Sequence, residues 1–376
     1  MSGGFSGDAR VWRYLADDGV SASFGLAADE TLTRRQGRGE SPPTLRLYTY
    51  RSHSALVGRF QRVSSEVRLD FCRANEIAVN RRPTGGGAII MGEDQLGVAI
   101  TLPEWASARS SDSTRELFTR FSEGIIQALR GFGIESEFKR KNDVEVNGKK
   151  VAGLGIYFDP DGGLLFHASL LVDLDIPLML SVLNTPFEKI SDKAIATVAD
   201  RITTVRRECG RPVPLDEVRG LVRDAYSRTL GVELIAGDFT SDERVEIAAL
   251  EHERYTAGSW IHQEPALADS AGSATLKTAG GLVSAHLTLA GDVIKAIYLT
   301  GDFFCEESVI MEIERALRWH SADPTRVART LATLGERGIS LPQIPSEELA
   351  RVIAAAVDAA QRHEQGAIAK GCFVNP

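Results

Sequence analysis

The chain has 376 residues, 43% of them hydrophobic and 25% charged, with a formal net charge of −8. That length exceeds one average domain and supplies a substantial core, and the composition is that of an ordinary globular protein. The acidic balance speaks against a nucleic-acid partner, since phosphate contacts need a basic surface, but it leaves room for a local basic pocket.

In chain order, residues 11–15 read as a short strand and 23–35 as a helix. Residues 44–50 (TLRLYTY) alternate as a strand does. Residues 64–75 look helical, 77–82 form a strand, and 95–102 (QLGVAITL) form another. The clearest helix follows. Ser113 and Glu116 make a capping box, and Leu117, Phe118, Phe121, Ile125 and Leu129 keep one apolar face. Gly131 is read as its stop. Residues 143–146 alternate ahead of Asn147-Gly148, a strong hairpin turn because both residues tolerate positive φ. Asp159-Pro160-Asp161-Gly162-Gly163 marks a second turn before a strand at 164–172. Helices are expected at 216–230 and 240–255, the second capped by Thr240 with Glu243. Residues 264–272 are rich in small residues without periodicity and read as a linker. Beyond it, strands at 282–289 and 293–299 form a hairpin around Ala290-Gly291-Asp292. Three helices follow, near 305–319, 324–337 and 346–362, the middle one opened by Asp323-Pro324. The pattern is α+β in two domains, with boundaries at 1–262, a linker at 263–275 and a C-terminal domain at 276–376.

Cys72, Cys209, Cys305 and Cys372 stand far apart with no CxxC or Cys/His cluster, so neither a zinc site nor a disulfide framework is expected. Reduced thiols fit a cytoplasmic protein. Residues 1–10 lack the apolar core of a secretory signal, and no apolar run approaches the ~18–20 residues of a membrane span.

Two segments carry candidate chemistry. In Arg82-Pro83-Thr84-Gly85-Gly86-Gly87-Ala88, three glycines remove every Cβ, so backbone N–H groups can approach an anion closely. Arg81 and Arg82 add cationic forks. The plain alternative is a flexible hairpin with two solvated arginines. The spacing is neither a Walker loop nor a dinucleotide fingerprint. In Asn147-Gly148-Lys149-Lys150, the lysines read locally as surface charge. Functionally, one of them could enter a cleft and neutralise a carboxylate and a phosphate as charge develops. Asn142 and Asp143 precede this turn, and a carboxylate there suits Mg²⁺. His167 sits in an apolar strand, where most histidines are satisfied structural residues, and by itself receives no catalytic role.

Together these segments resemble the lipoate–protein ligase family of the biotin/lipoate ligase fold group, over most of the chain. Residues 26–30 (LAADE) are similar to the family's early helix. Residues 44–48 and 58–61 (GRFQ) are similar to its next strands. Residues 81–88 resemble its RRxTGGGA loop and 139–153 its ND…NGKK segment. Residues 167–171 (HASLL) resemble HGTLL, and 193–203 resemble K…I…SV..RVTN. Arg254-Tyr255 with Ser259-Trp260 is similar to the motif closing the large domain. The tail around Gly291 and residues 301–304 looks like the accessory domain of long ligases. The sequence departs from the pattern at Met91-Gly92-Glu93-Asp94, Ala152-Gly153-Leu154-Gly155 and Ala168-Ser169, which border the expected acyl tunnel and adenylate site.

The resemblance implies a large domain of mainly antiparallel mixed sheets flanked by helices, class II synthetase/biotin synthetase-like, with a small α+β C-terminal domain. It implies ATP-dependent activation of lipoate to lipoyl-AMP and transfer to a lysine of a lipoyl-domain protein, such as a 2-oxoacid dehydrogenase E2 subunit or the glycine-cleavage H protein. Neither nucleic acid nor membrane is expected as a partner. By position, Lys150 is the expected catalytic residue. The lipoate/ATP-binding set is Arg82, Thr84, Gly85, Gly86, Gly87, Ala88, Ile89, Ile90, Asn142, Asp143, Lys150, Gly153 and His167, with Asp143 as the Mg²⁺ ligand of the ATP complex. One alternative is an octanoyl or lipoyl transferase of the same fold. Those that share RPTGG carry a nucleophilic cysteine ahead of the lysine hairpin, whereas residues 133–146 here contain none. A biotin ligase lacks support because its GRGRxxR-type loop is absent. A non-catalytic homologue that binds lipoyl domains is a further alternative.

Overall fold

Strands β2 (Thr44–Tyr50) and β6 (Gln95–Pro103) lie at the centre of the molecule's main sheet and are buried almost throughout, as central strands covered on both faces must be. The computed structural model describes residues 10–103, 114–139, 142–184, 192–263 and 271–370. The main sheet has eight strands in the order β11-β1-β2-β6-β10-β9-β8-β7. They comprise β1 (Val11–Val20), β7 (Glu137–Phe138), β8 (Asp143–Val146), β9 (Lys149–Phe158), β10 (Gly163–Leu171) and β11 (Glu233–Ala236), besides β2 and β6. Pairing is antiparallel from β2 to β7, and parallel where β1 meets β2 and β11. A second sheet of three strands runs β4 (Ala78–Arg81), β3 (Ser54–Val57), β5 (Ile89–Met91).

Helix α1 (Ala22–Gly37) packs over one face of the main sheet, its start capped by Ser21, which accepts from Phe24 N. This explains why TLRLYTY alternates yet is wholly buried. Its one charged member, Arg46, meets Asp29 of α1 at 2.7 Å and Asp17 at 2.6 Å. The opposite face carries α2 (Thr114–Gly131), whose Phe121 ring lies 5.2 Å from that of Phe166 in β10. Helix α3 (Leu215–Leu230) covers α2, and its Tyr226 hydroxyl donates to Phe121 O. Helix α4 (Ser241–Leu250) has the expected Thr240/Glu243 capping box, then widens into a π-helical turn, Glu251–Tyr255.

Several expectations change. Ser113, the expected cap of α2, lies outside the described residues. The left-handed residue after α2 is Gly133 (φ 74°), not Gly131, which instead packs against Leu221. The helix expected over 64–75 is two short segments, Val63–Glu66 and Leu69–Ala74. It breaks because Val67 bridges Leu183 and Arg68 N donates to Val182 O. Residues 58–61 form a turn after β3 rather than a strand, held by the Gln61 side chain, which accepts from Gly58 N at 2.9 Å.

The described chain divides into two units. The first spans residues 1–57, 63–84 and 88–262, and the second spans 58–62, 85–87 and 263–376. The second holds an antiparallel sheet of β12 (Ala271–Thr278), β13 (Gly281–Ala290), β14 (Val293–Gly301) and β15 (His320–Ser321). With it go α5 (Glu307–Leu317), α6 (Pro324–Glu336) and α7 (Ser346–Lys370). Strand β12 begins at Ala271, inside the segment expected to be linker. Phe60 joins this unit's core, stacked on Phe303 at 5.1 Å. No helix among the described residues is long and apolar enough to cross a membrane.

Candidate functional site

The glycine segment leaves β4 at Arg81 and enters β5 at Ile89, but these strands do not pair with each other. Each pairs with β3, β4 in parallel and β5 antiparallel. The segment therefore crosses the end of β3, and the flexible-hairpin alternative does not hold. The arginines are not solvated: Arg81 is 1% exposed and Arg82 5%. Arg82 Nη1 donates to Leu56 O at 2.8 Å. Burial lowers its pKa to about 10, against the opposing pull of Tyr50 and Tyr48, so it stays cationic at pH 7.

Arg81 serves a latch that the sequence did not reveal. Its Nε donates to Trp260 O at 3.0 Å and its Nη2 to Ile261 O at 3.1 Å, while Trp260 Nε1 returns a bond to Arg81 O at 3.0 Å. Asn80 Nδ2 donates to Tyr255 O. The Arg254 guanidinium lies 3.6 Å over the Trp260 ring, a cation–π contact, and both Arg254 and Tyr255 bond Glu30 of α1. Residues some 175–180 positions apart in sequence thus set the strand that leads into the glycines. The recurrence of Arg, Tyr and Trp at 254–260 was the only signal.

The glycines also meet backbone requirements of the fold. A Cβ on Gly85 would strike the Phe303 carbonyl, and one on Gly58 would strike the Gly86 carbonyl. Gly86 has φ 98°, outside the range of ordinary L residues. Gly87, by contrast with Gly85, has open space where a side chain would be. Ile90 is buried in a cluster with Val57 and Cys72, and Ala88 packs against the same cluster. Ile89 packs against the α1 core.

Thr84 and His167 are brought together. Thr84 Oγ1 and His167 Nε2 lie 3.0 Å apart. Burial, then the positive charge of Arg82, lowers the His167 pKa to about 3, so the ring is neutral at physiological pH. The Nε2–Cδ2 side of the ring lies over Gly155, where any Cβ would overlap it. This accounts for glycine at a position where the family pattern has another residue.

Lys150 is aimed by a β-bulge. The β8–β9 hairpin turns at Asn147 (φ 50°) and Gly148 (φ 77°), as expected. Val146 pairs with Lys149 and Glu145 with Lys150, yet Val144 pairs with Ala152, so β9 carries one extra residue. Without it, alternation would put Lys150 on the face opposite Gly153, beside the buried Val144 and Val146. With it, Lys150 shares the face of Asp143 and Gly153. Its ammonium forms a 2.7 Å ion pair with Asp143 and would lie 2.9 Å from a Cβ on Gly153. The backbone of Lys150 bonds Arg201 O and Thr203 N. Lys149 instead reaches Ala199 O. Asn142 is absorbed structurally, its Nδ2 donating to Leu154 O at 2.7 Å.

These pieces fall on one face of the sheet in two cross-strand rows. One row is Tyr48, Gly97, Ser169, Gly153 and Asp143, and the next is Arg46, Ala99, His167 and Gly155. Directly opposed residues of antiparallel strands share a face. The face therefore carries an ammonium–carboxylate pair at one end, a neutral imidazole beside it, and an aromatic ring at the other. Asp143 contributes one carboxylate, and no group of three or more His, Cys, Asp or Glu side chains gathers among the described residues. Cys72 is buried and its thiol pKa is raised by burial, as expected of a structural cysteine.

Solved structures are similar to this chain in fold. The bipartite lipoate protein ligase of Thermoplasma acidophilum, studied with its E2 lipoyl domain, is 28% identical at a TM-score of 0.59, covering 67% of this chain and 96% of that one. A lipoate-protein ligase A bound with ATP is 26% identical at 0.58, covering 67% and 98%. LipL1 of P. falciparum, in complex with lipoate, shares the fold over 86% of this chain and 94% of its own (TM-score 0.68, 16% identity). Residues 21–227 match the model of the lipoyl protein ligase A/B catalytic domain, and the chain belongs to that family. Among curated relatives, the octanoyltransferase LipM of Kyrpidia tusciae is 29% identical over 277 residues, 68% of this chain and all of that protein. Its counterpart in Symbiobacterium thermophilum is 28% identical, over 66% and 97%. The family resemblance and the α+β class read from the sequence are borne out. The relatives' names favour the transferase alternative over the ATP-dependent ligase.

Proposed function

We propose that this chain transfers an octanoyl or lipoyl group to a lysine of a lipoyl-domain protein. The observation that carries this reading is Lys150, turned by the bulge onto the same face as His167 and Gly153 and paired with Asp143. In either route the acceptor amine attacks the acyl carbonyl carbon, the C–N bond forms, the leaving group departs with the electron pair, and the amine loses a proton. Lys150 is suited to stabilise the oxygen on which charge develops. His167 is too weak a base at a pKa of about 3 to take that proton near neutrality, so its role is to hold Thr84.

The first donor is an octanoyl thioester, supported by relatives named octanoyltransferases. A second donor, an acyl-adenylate made from the free acid and Mg·ATP, is favoured by one specific observation. No cysteine lies in residues 133–146, where a thiol-using transferase of this fold would carry its nucleophile. In that route Asp143 would supply one oxygen to the Mg²⁺ of the ATP complex, the rest coming from phosphates and water. The test offers a lipoyl-domain protein two donors in parallel, octanoyl carrier-protein thioester without ATP and octanoate with Mg·ATP. Acylation from the thioester alone supports the first route. ATP-dependent acylation accompanied by octanoate-stimulated ATP–pyrophosphate exchange supports the second. No acylation from either donor overturns the proposal.

A further inference from the structure

In the second unit the sheet stops short along one side. Strand β15 pairs only with Val293 and Ile294 of β14. A β-bulge follows, with Lys295 as the extra residue, and beyond it no strand among the described residues flanks β14 on that side. Leu299 N donates outward to Glu314 of α5 at 2.8 Å, and Gly301 N to Phe60 O at 2.9 Å. Backbone groups alternate along a strand, so the N–H and C=O of Ile297 and the C=O of Leu299 point to the same open edge. They have no hydrogen-bond partner on that side among the described residues.

A groove of about 590 Å³ runs along this edge, between Ala296, Ile297 and Tyr298 of β14 and Met311, Arg315 and Arg318 at α5. Successive strand residues point to opposite faces, so a cavity touching three in a row lies against the edge rather than over one face. Met311 is 62% exposed, one helical turn from Arg315 and two from Arg318. Arg315 pairs with Glu312, whereas Arg318 is exposed and has no ion-pair partner among the described residues. Trp319, whose N–H donates to Ile294 O, stands where β15 leaves off. It takes φ 61°, an outlier for a bulky residue, and is 63% exposed. Sheet edges without a use are covered or blunted by charges and bulges, and Lys295 with its bulge blunts only the first part of this one. The rest leaves free backbone groups beside Met, Tyr, Trp and Arg, the types that concentrate in binding interfaces.

We infer that the groove between β14 and α5 binds an extended segment of a partner protein as an added strand, one that carries an acidic residue next to apolar ones. Ile297 gives the incoming backbone one N–H and one C=O, and Leu299 gives one C=O. Met311 covers an apolar side chain. Arg318 selects the acidic one, because the groove's own carboxylates are already engaged, Glu314 by Leu299 N and Glu312 by Arg315.

The probe is a displayed library of random linear peptides, panned on the full chain. The expected result is enrichment of peptides that set an acidic residue beside apolar ones. Met311→Glu and Arg318→Glu change exposed side chains, so each should keep the native Tm yet bind the enriched peptide at least about tenfold more weakly. Arg318→Glu should regain binding when the peptide's acidic residue is replaced by lysine. Methylating the peptide's backbone amides one at a time should abolish binding at alternate positions and spare those between, since only every other amide faces β14. Failure to enrich any peptide that tells the native chain from these two variants overturns the inference, as do methylation losses without alternation. Sedimentation of the native chain as a dimer that Met311→Glu dissociates would give the edge to a second copy and overturn it as well.

Discussion

Replacing Gly155 with alanine puts a methyl group inside the contact distance of His167 Nε2 and Cδ2 and 3.2 Å from Thr84 Oγ1. The imidazole has to swing off the sheet, which breaks its 3.0 Å bond to Thr84. Overpacking of this kind costs about 1–3 kcal/mol and the lost hydrogen bond about 1 more, so Gly155→Ala should destabilise the first unit by about 2–4 kcal/mol. Against a His167→Ala background the clash with the imidazole is gone, and the same methyl should cost less than about 1 kcal/mol. The assay is a double-mutant cycle of denaturant unfolding across the four proteins, which isolates the pairwise term. An equal cost of Gly155→Ala in both backgrounds, or no cost in either, would refute the packing of His167 over Gly155.

Trp260→Phe keeps a ring under Arg254 but removes the N–H that Arg81 O accepts, at a cost of about 1 kcal/mol. Acyl transfer should fall severalfold while the unfolding temperature moves by only a few degrees, whereas Trp260→Leu should lower both. Glu243 is held near a pKa of about 2. Burial acts to raise it, but bonds from Arg13, Ser41 and Thr240 N and the charge of Arg13 prevail. Its folded pKa lies below the unfolded one, so its contribution is present above about pH 4.5 and is lost as pH falls toward 2. Glu243→Gln should therefore lower stability at pH 7 and flatten the acid limb of a Tm–pH curve. Glu314 behaves oppositely. Burial raises its pKa to about 7, only partly offset by the Leu299 N–H it accepts. Its ionisation costs stability as pH rises from about 4.5 through 7. Glu314→Gln should raise the Tm of the second unit at pH 8 and leave it unchanged near pH 4.

Local chemistry made much of the fold legible. Asn147-Gly148 tolerates the positive φ angles that close the β8–β9 hairpin. Thr240 with Glu243 caps α4, and Asp323 with Pro324 opens α6. Signals that depend on distant partners were not legible. The break at Val67 and Arg68 depends on Val182 and Leu183, and the burial of Arg81 depends on Trp260 and Ile261. The site itself was half visible. Thr84, Gly153, His167, Asp143 and Lys150 were named in advance, but not the bulge that aims Lys150. No residue type announces a bulge in Lys149-Lys150-Val151-Ala152, and it falls where the Lys150 backbone bonds Arg201 and Thr203. Lys150 therefore read locally as surface charge. The packing of Gly85 and Gly86 was also hidden, since it depends on the Phe303 carbonyl and on Gly58.

The most direct test of the central claim is the intact mass of a lipoyl-domain protein incubated with this chain and both octanoyl donors together, octanoyl carrier-protein and octanoate with Mg·ATP. The account predicts addition of one octanoyl group to the acceptor lysine by the native protein. It predicts loss of that addition in Lys150→Ala, with the folded Tm retained. An acceptor that gains no octanoyl mass, or one acylated equally well by Lys150→Ala, would contradict it.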